Sequence, residues 1–144
     1  MTRKNKGNYR AKHSSDVRVD EKVAEAVRKK ATGGKISCAG ASKVARSLGV
    51  SMKEIGTAVD VMEMHIIECQ LGLFGYSPEK LIVKPARIID AGLEKAIRDA
   101  LVEGRLPCAS AWEIADRLGI PRMNVSSACE ALRIKVKPCQ LGAF

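Results

Sequence analysis

From residue 20 onward, apolar and polar positions alternate in two distinct rhythms. Val23, Ala26 and Val27, and again Leu93, Ala96 and Ile97, fall at i, i+3, i+4 spacing. That spacing predicts amphipathic helices over 21–32 and 91–103. Asp20 and Asp90 precede them as N-caps, their carboxylates placed to accept orphan backbone N–H groups. Gly34 and Gly104 stand where a left-handed residue would close each helix. Short extended pieces at 35–37 and 105–107 lead to second helices over 39–48 and 109–118, then a tight turn and a third helix. Residues 64–68 and 134–137 read as strands, the second alternating apolar and basic side chains at period two. Residues 75–85 fit either a further strand or a linker.

The two series are one series repeated. Residues 20–74 and 90–144 align without a gap at an offset of 70, with sixteen identical pairs in 55 positions. The pairs include Cys38/Cys108, Ala45/Ala115, Leu48/Leu118, Gly49/Gly119 and the block Cys69-Gln70-Leu71-Gly72 against Cys139-Gln140-Leu141-Gly142. Ungapped similarity over a whole unit identifies a duplication. The expected organisation is a basic flexible tail over 1–19, repeat 1 over 20–75, a linker over 76–89, and repeat 2 over 90–144.

Composition narrows the core. Aromatic residues are only 3% of the chain, so Ala, Val, Ile, Leu and Met must fill the interior, which suits closely packed short helices. The net charge of +9 is unevenly placed. Residues 1–19 hold Arg3, Lys4, Lys6, Arg10, Lys12 and Arg18 against Asp16, more than half of the excess. With little apolar surface to offset ordering entropy, this segment is expected to be mobile, and its charge suits a polyanion partner. The charged N-terminus lacks an apolar stretch, and no run is long enough to span a membrane. A cytoplasmic protein with reduced thiols is expected.

Within each copy, Ala45, Gly49, Val50, Ile55 and Ala58, and then Ala115, Gly119, Ile120, Val125 and Ala128, carry a spacing pattern. A small residue sits at a helix crossing, a Gly makes the turn and aliphatic residues follow. Leu48 and Leu118 are expected to fill the slot before the Gly. The pattern resembles the helix-turn-helix family of DNA-binding proteins. The order helix, short strand, helix, turn, helix, strand is similar to its winged-helix branch. The resemblance implies a mainly α fold with minor β content: a tandem repeat of two winged-helix-like helix-turn-helix domains with short strands. It implies third helices that enter the major groove of double-stranded DNA. The implied reading positions are Ser51, Met52, Lys53, Gly56, Thr57 and Asp60 in copy one, and Pro121, Arg122, Met123, Ser126, Ser127 and Glu130 in copy two. Arg3, Lys4, Lys6, Arg10 and Lys12 would add phosphate contacts from the arm. A transcription regulator is the corresponding function. The acidic residues in both third helices keep open a winged-helix module that binds protein, and a homodimer is also left open.

The cysteines recur as Cys38/Cys69 and Cys108/Cys139, and Cys129 is not repeated. Packing of buried thiols is the favoured reading, with a thiol- or metal-responsive regulator as the alternative. No C-x-x-C is present, and the repeated positions give each copy two thiols where a structural zinc needs four ligands, so no metal or cofactor is expected. The closing Cys-Gln-Leu-Gly-x-Phe block reads as a Gly turn with a Phe plug over the core. Trp112 replaces Ser42 and is assigned to packing. No nucleophile elbow, phosphate loop or metal-helix motif is present, so an enzyme is not expected.

Overall fold

The computed structural model describes residues 9–13 and 17–144. Arg3, Lys4 and Lys6 lie outside the described residues, as does the Lys12 side chain. After a short 3-10 turn at Tyr9–Lys12, the elements are α1 (Glu21–Lys30), β1 (Lys35–Ser37), α2 (Cys38–Leu48), α3 (Met52–Val61) and β2 (His65–Ile67). They continue with α4 (Ala91–Asp99), α5 (Cys108–Leu118) and α6 (Arg122–Leu132). The chain is mainly helical. Among the described residues, no helix is long and apolar enough to cross a membrane.

The chain divides into two compact units, and their boundaries are not those of the repeats. Unit 1 consists of Met1–Cys69 together with Gln140–Phe144, and unit 2 of Gln70–Cys139. The closing block of each copy therefore belongs to the unit built from the other copy's helices.

In unit 1, the Asp20 carboxylate accepts from the Lys22 and Val23 amides at the start of α1, and Ser51 Oγ accepts from Glu54 N at the start of α3. Val27, Ile36, Ala41, Ile55 and Val59 are fully buried between the three helices and β1. Each large aliphatic side chain so buried contributes roughly 1.5–3 kcal/mol over leaving it in water. β1 and β2 pair in parallel, Lys35 opposite His65 and Ser37 opposite Ile67, because α2 and α3 carry the chain back between them. Unit 2 repeats the plan around Ile97, Leu106, Ile114 and Val125, with Asp90 capping α4 at Leu93 N. Its extended pieces meet only as one parallel bridge, Leu106 to Val136. The cleanly alternating 134–137 segment thus forms no named strand. Residues 75–85 are not a strand either, holding one isolated Tyr76–Lys80 bridge.

Three local expectations change. Gly34 and Gly104 are not helix caps: α1 ends at Ala31, and the glycines lie in two-residue turns. Thr32 and Lys35 exchange backbone hydrogen bonds, as do Val102 and Arg105. The central residues all have φ > 0: Gly33 and Gly34, then Glu103 and Gly104, the signature of a tight hairpin turn. Leu48 and Leu118 are not core. They are 38% and 43% exposed, because each is the last residue of its helix, where the chain leaves through Gly49 or Gly119 in the left-handed conformation. The closing block is plugged by Leu rather than Phe: Leu71 and Leu141 are buried at 0% and 2% exposure, while Phe74 and Phe144 are half-buried.

Candidate nucleic-acid interface

Ser51 ends the turn after Gly49 and opens α3. Its hydroxyl serves as cap, so the first turn of α3 is presented to solvent with Lys53 and Glu54 exposed and Thr57 half-buried. Ser51, Lys53 and Thr57 line a cleft of about 370 Å³, whose other wall is the lead-in segment of α1 with Arg18, Asp20 and Val23. The site thus combines two cations, two hydroxyls and a helix N-terminus, where the backbone dipole favours negative charge. Glu54 and Asp20 line it as well, and Asp20 is occupied in capping α1.

The remaining α3 positions expected to read bases face inward or lie partly covered. Gly56 is buried, and a Cβ there would overlap the backbone carbonyl of Leu141. Asp60 is 4% exposed, its carboxylate 2.8 Å from His13 Nε2. Met52 is half-buried. Arg10, expected to reach phosphates, is tied into the fold. Its amide donates to Glu63 Oε1 at 2.8 Å, and its guanidinium donates to the carbonyls of His13 and Val17. The described part of the tail is therefore a latch on α3. The signal that sequence reading missed was His13, which lies 70 positions before Val83, itself 4% exposed in unit 2.

Unit 2 places its candidate residues differently. Arg122 stacks over the Trp112 ring at 3.7 Å to the centroid and lies 3.6 Å from the Asp116 carboxylate. Met123 rests its sulfur against Gly72. Ser126, expected to contact DNA, is fully buried; its hydroxyl donates to the Leu71 carbonyl at 2.6 Å, with the Met123 carbonyl 3.0 Å away. Ser127 is half-buried, and its carbonyl accepts from Ala86 N. Pro121 and Glu130 are exposed. One cause is common to both units: the Gln-Leu-Gly block packs against the third helix, Leu141 on Gly56 in unit 1 and Leu71 on Ser126 in unit 2.

All five cysteines are thiols, four of them buried and Cys139 intermediate. Each repeated pair stays within its own unit. Among the described residues, no three His, Cys, Asp or Glu side chains gather as a metal site. Burial, aided by the neighbouring Glu130 charge, pushes the Cys129 thiol up to about 11, so it is inert as a nucleophile near neutrality. No family model, curated protein or solved structure matches the chain.

Proposed function

We propose that the chain is a DNA-binding protein, a transcription regulator of winged-helix-like helix-turn-helix type, and that unit 1 makes the DNA contact. The observation that carries this reading is the cleft at the start of α3, where Lys53, Ser51, Thr57 and Arg18 converge on an exposed helix N-terminus. Unit 1 holds 14 basic and 8 acidic side chains, a net of +6, against 11 and 8, a net of +3, in unit 2. Lys53 and Arg18 address phosphates or guanine edges; Ser51 and Thr57 position the helix on the backbone. Arg3, Lys4 and Lys6 add a salt-dependent term. Arg122, Met123, Ser126 and Ser127 are engaged in packing, which makes unit 2 the weaker candidate for base reading and favours a protein-facing role for it.

Fluorescence anisotropy with a labelled random-sequence duplex at low salt tests the proposal. Binding should weaken by roughly 10-fold in Lys53→Glu, and Lys53→Ala should lower the salt slope by about 1. Lys137→Glu, in unit 2, serves as the charge control. Absence of binding at low salt, or equal losses in Lys53→Glu and Lys137→Glu, would overturn it.

A further inference from the structure

Unit 2 carries the counterpart of the α3 cleft with more aliphatic side chains in its wall. Asp20, Val23, Thr57 and Ala58 line the first; their partners at an offset of 70, Asp90, Leu93, Ser127 and Ala128, line the second. In unit 2 the cleft is larger, about 580 Å³, and it is walled by Leu93, Leu118 and Ile120. Where unit 1 has Arg18, unit 2 has Ile88, which lines the cleft and is 90% exposed. Leu118 beside it is 43% exposed. A phosphate surface gains nothing from an aliphatic rim, and apolar side chains so arranged mark a contact surface.

We propose that this cleft is a homodimer interface, occupied by Ile88 of a second copy of the chain. Knob and hole lie on one face, which is what a two-fold interface requires, since the same patch must complement itself. The rim charges complement in the same way. Lys84 and Asp90 both line the cleft, so the patch holds both signs of charge and can pair each lysine with the other copy's aspartate. Asp90 retains its capping bond to Leu93 N at 3.2 Å and still offers lone pairs to an incoming ammonium. One aliphatic side chain per protomer is a small buried core, which places the dimer among weak, transient interfaces. Dimerisation through unit 2 is independent of whether unit 1 binds DNA; if it does, the dimer carries two α3 clefts.

Sedimentation equilibrium of the full chain without nucleic acid decides the matter. The expected result is a monomer–dimer equilibrium that is populated by ~100 µM. Ile88→Asp should weaken it at least 10-fold and Lys84→Glu several-fold, with Trp112 fluorescence and circular dichroism unchanged. Should Ile88→Asp disturb the fold, Lys84→Glu, at an exposed position, carries the test. A monomer throughout that range overturns the proposal, including one whose cleft takes up an apolar dye. So does a dimer indifferent to the substitution at Ile88, or to Lys84→Glu where that variant carries the test.

Discussion

Units 1 and 2 share the Asp cap of the first helix, turn glycines and an aliphatic core, yet they solve the same packing problem with different atoms. At position 56 unit 1 has a glycine, and the Leu141 backbone comes down onto it with no room for a side chain. At the equivalent position 126 unit 2 has a serine, whose hydroxyl holds the Leu71 carbonyl by a hydrogen bond. The lead-in segment is latched by a His13–Asp60 contact in unit 1 and by the buried Val83 in unit 2. Val59 in one core becomes Cys129 in the other, both fully buried. One backbone plan therefore accepts polar or apolar fastening at equivalent positions. What diverges is the cleft wall, Arg18 against Ile88, and the start of the third helix, where Lys53 is exposed and its counterpart Met123 packs on Gly72.

The largest effect should come from closing the gap that glycine leaves. Gly56→Ala should cost about 3 kcal/mol by overpacking and free residues 140–144. Amide exchange across that block checks it, and continued protection there would mean that the close approach is not essential. Ser126→Ala keeps the volume but strips the Leu71 carbonyl of its buried donor, for about 2 kcal/mol. Because Trp112 is the single tryptophan and lies in unit 2, its fluorescence in a denaturant titration reads that loss directly.

The thiol contrast is sharpened by pH. Cys129 is raised from an ordinary 9.0 to about 11, so the native state holds its proton more tightly than the unfolded chain. The stability it contributes is full below pH 9 and declines as pH climbs through about 11, by roughly 2 kcal/mol. Cys129→Val, which copies Val59, should flatten that alkaline decline in Trp112 fluorescence; an equally steep decline in the variant would assign it to other groups. His13→Ala removes a partner of the buried Asp60 and should cost about 1–2 kcal/mol. Thermal melts followed by circular dichroism measure it, with Tyr9–Lys12 losing exchange protection. The smallest effect is a gain. Glu103 occupies φ 52 where Gly33 occupies φ 57, so Glu103→Gly should stabilise unit 2 by about 0.5–1 kcal/mol. A neutral or unfavourable change in chemical denaturation would show that the turn does not strain the glutamate.

Much of the local structure was legible because it depends on neighbours in sequence. The Asp20 and Asp90 caps, the starts and ends of the second helices and the left-handed Gly49 and Gly119 are set by residues within one turn of each other. Errors arose where a short-range cue had two outcomes. Gly34 serves a helix cap or a hairpin turn equally well, since both need φ > 0. Leu48 satisfies the helical period yet lies at an end where nothing packs over it. Of the expected reading positions, the structure brings Ser51, Lys53 and Thr57 to one cleft and buries Gly56, Asp60 and Ser126, because spacing specifies a face of a helix and not what comes to lie on it.

The sequence alone determined the duplication, the order of helices within each copy, the apolar face of each helix and the basic surplus of the N-terminal half. These follow from periodicity and capping, which are local. Only the tertiary structure decided which core receives each Gln-Leu-Gly block, how far the tail packs onto α3, and that the matching clefts are lined by Arg18 and Lys53 in unit 1 and by Ile88, Leu118 and Ile120 in unit 2. Two cores with the same apolar pattern each offer a slot for one leucine, so the pattern cannot name the acceptor. That choice rests on contacts between residues far apart in the chain, such as Gly56 with Leu141 and Leu71 with Ser126.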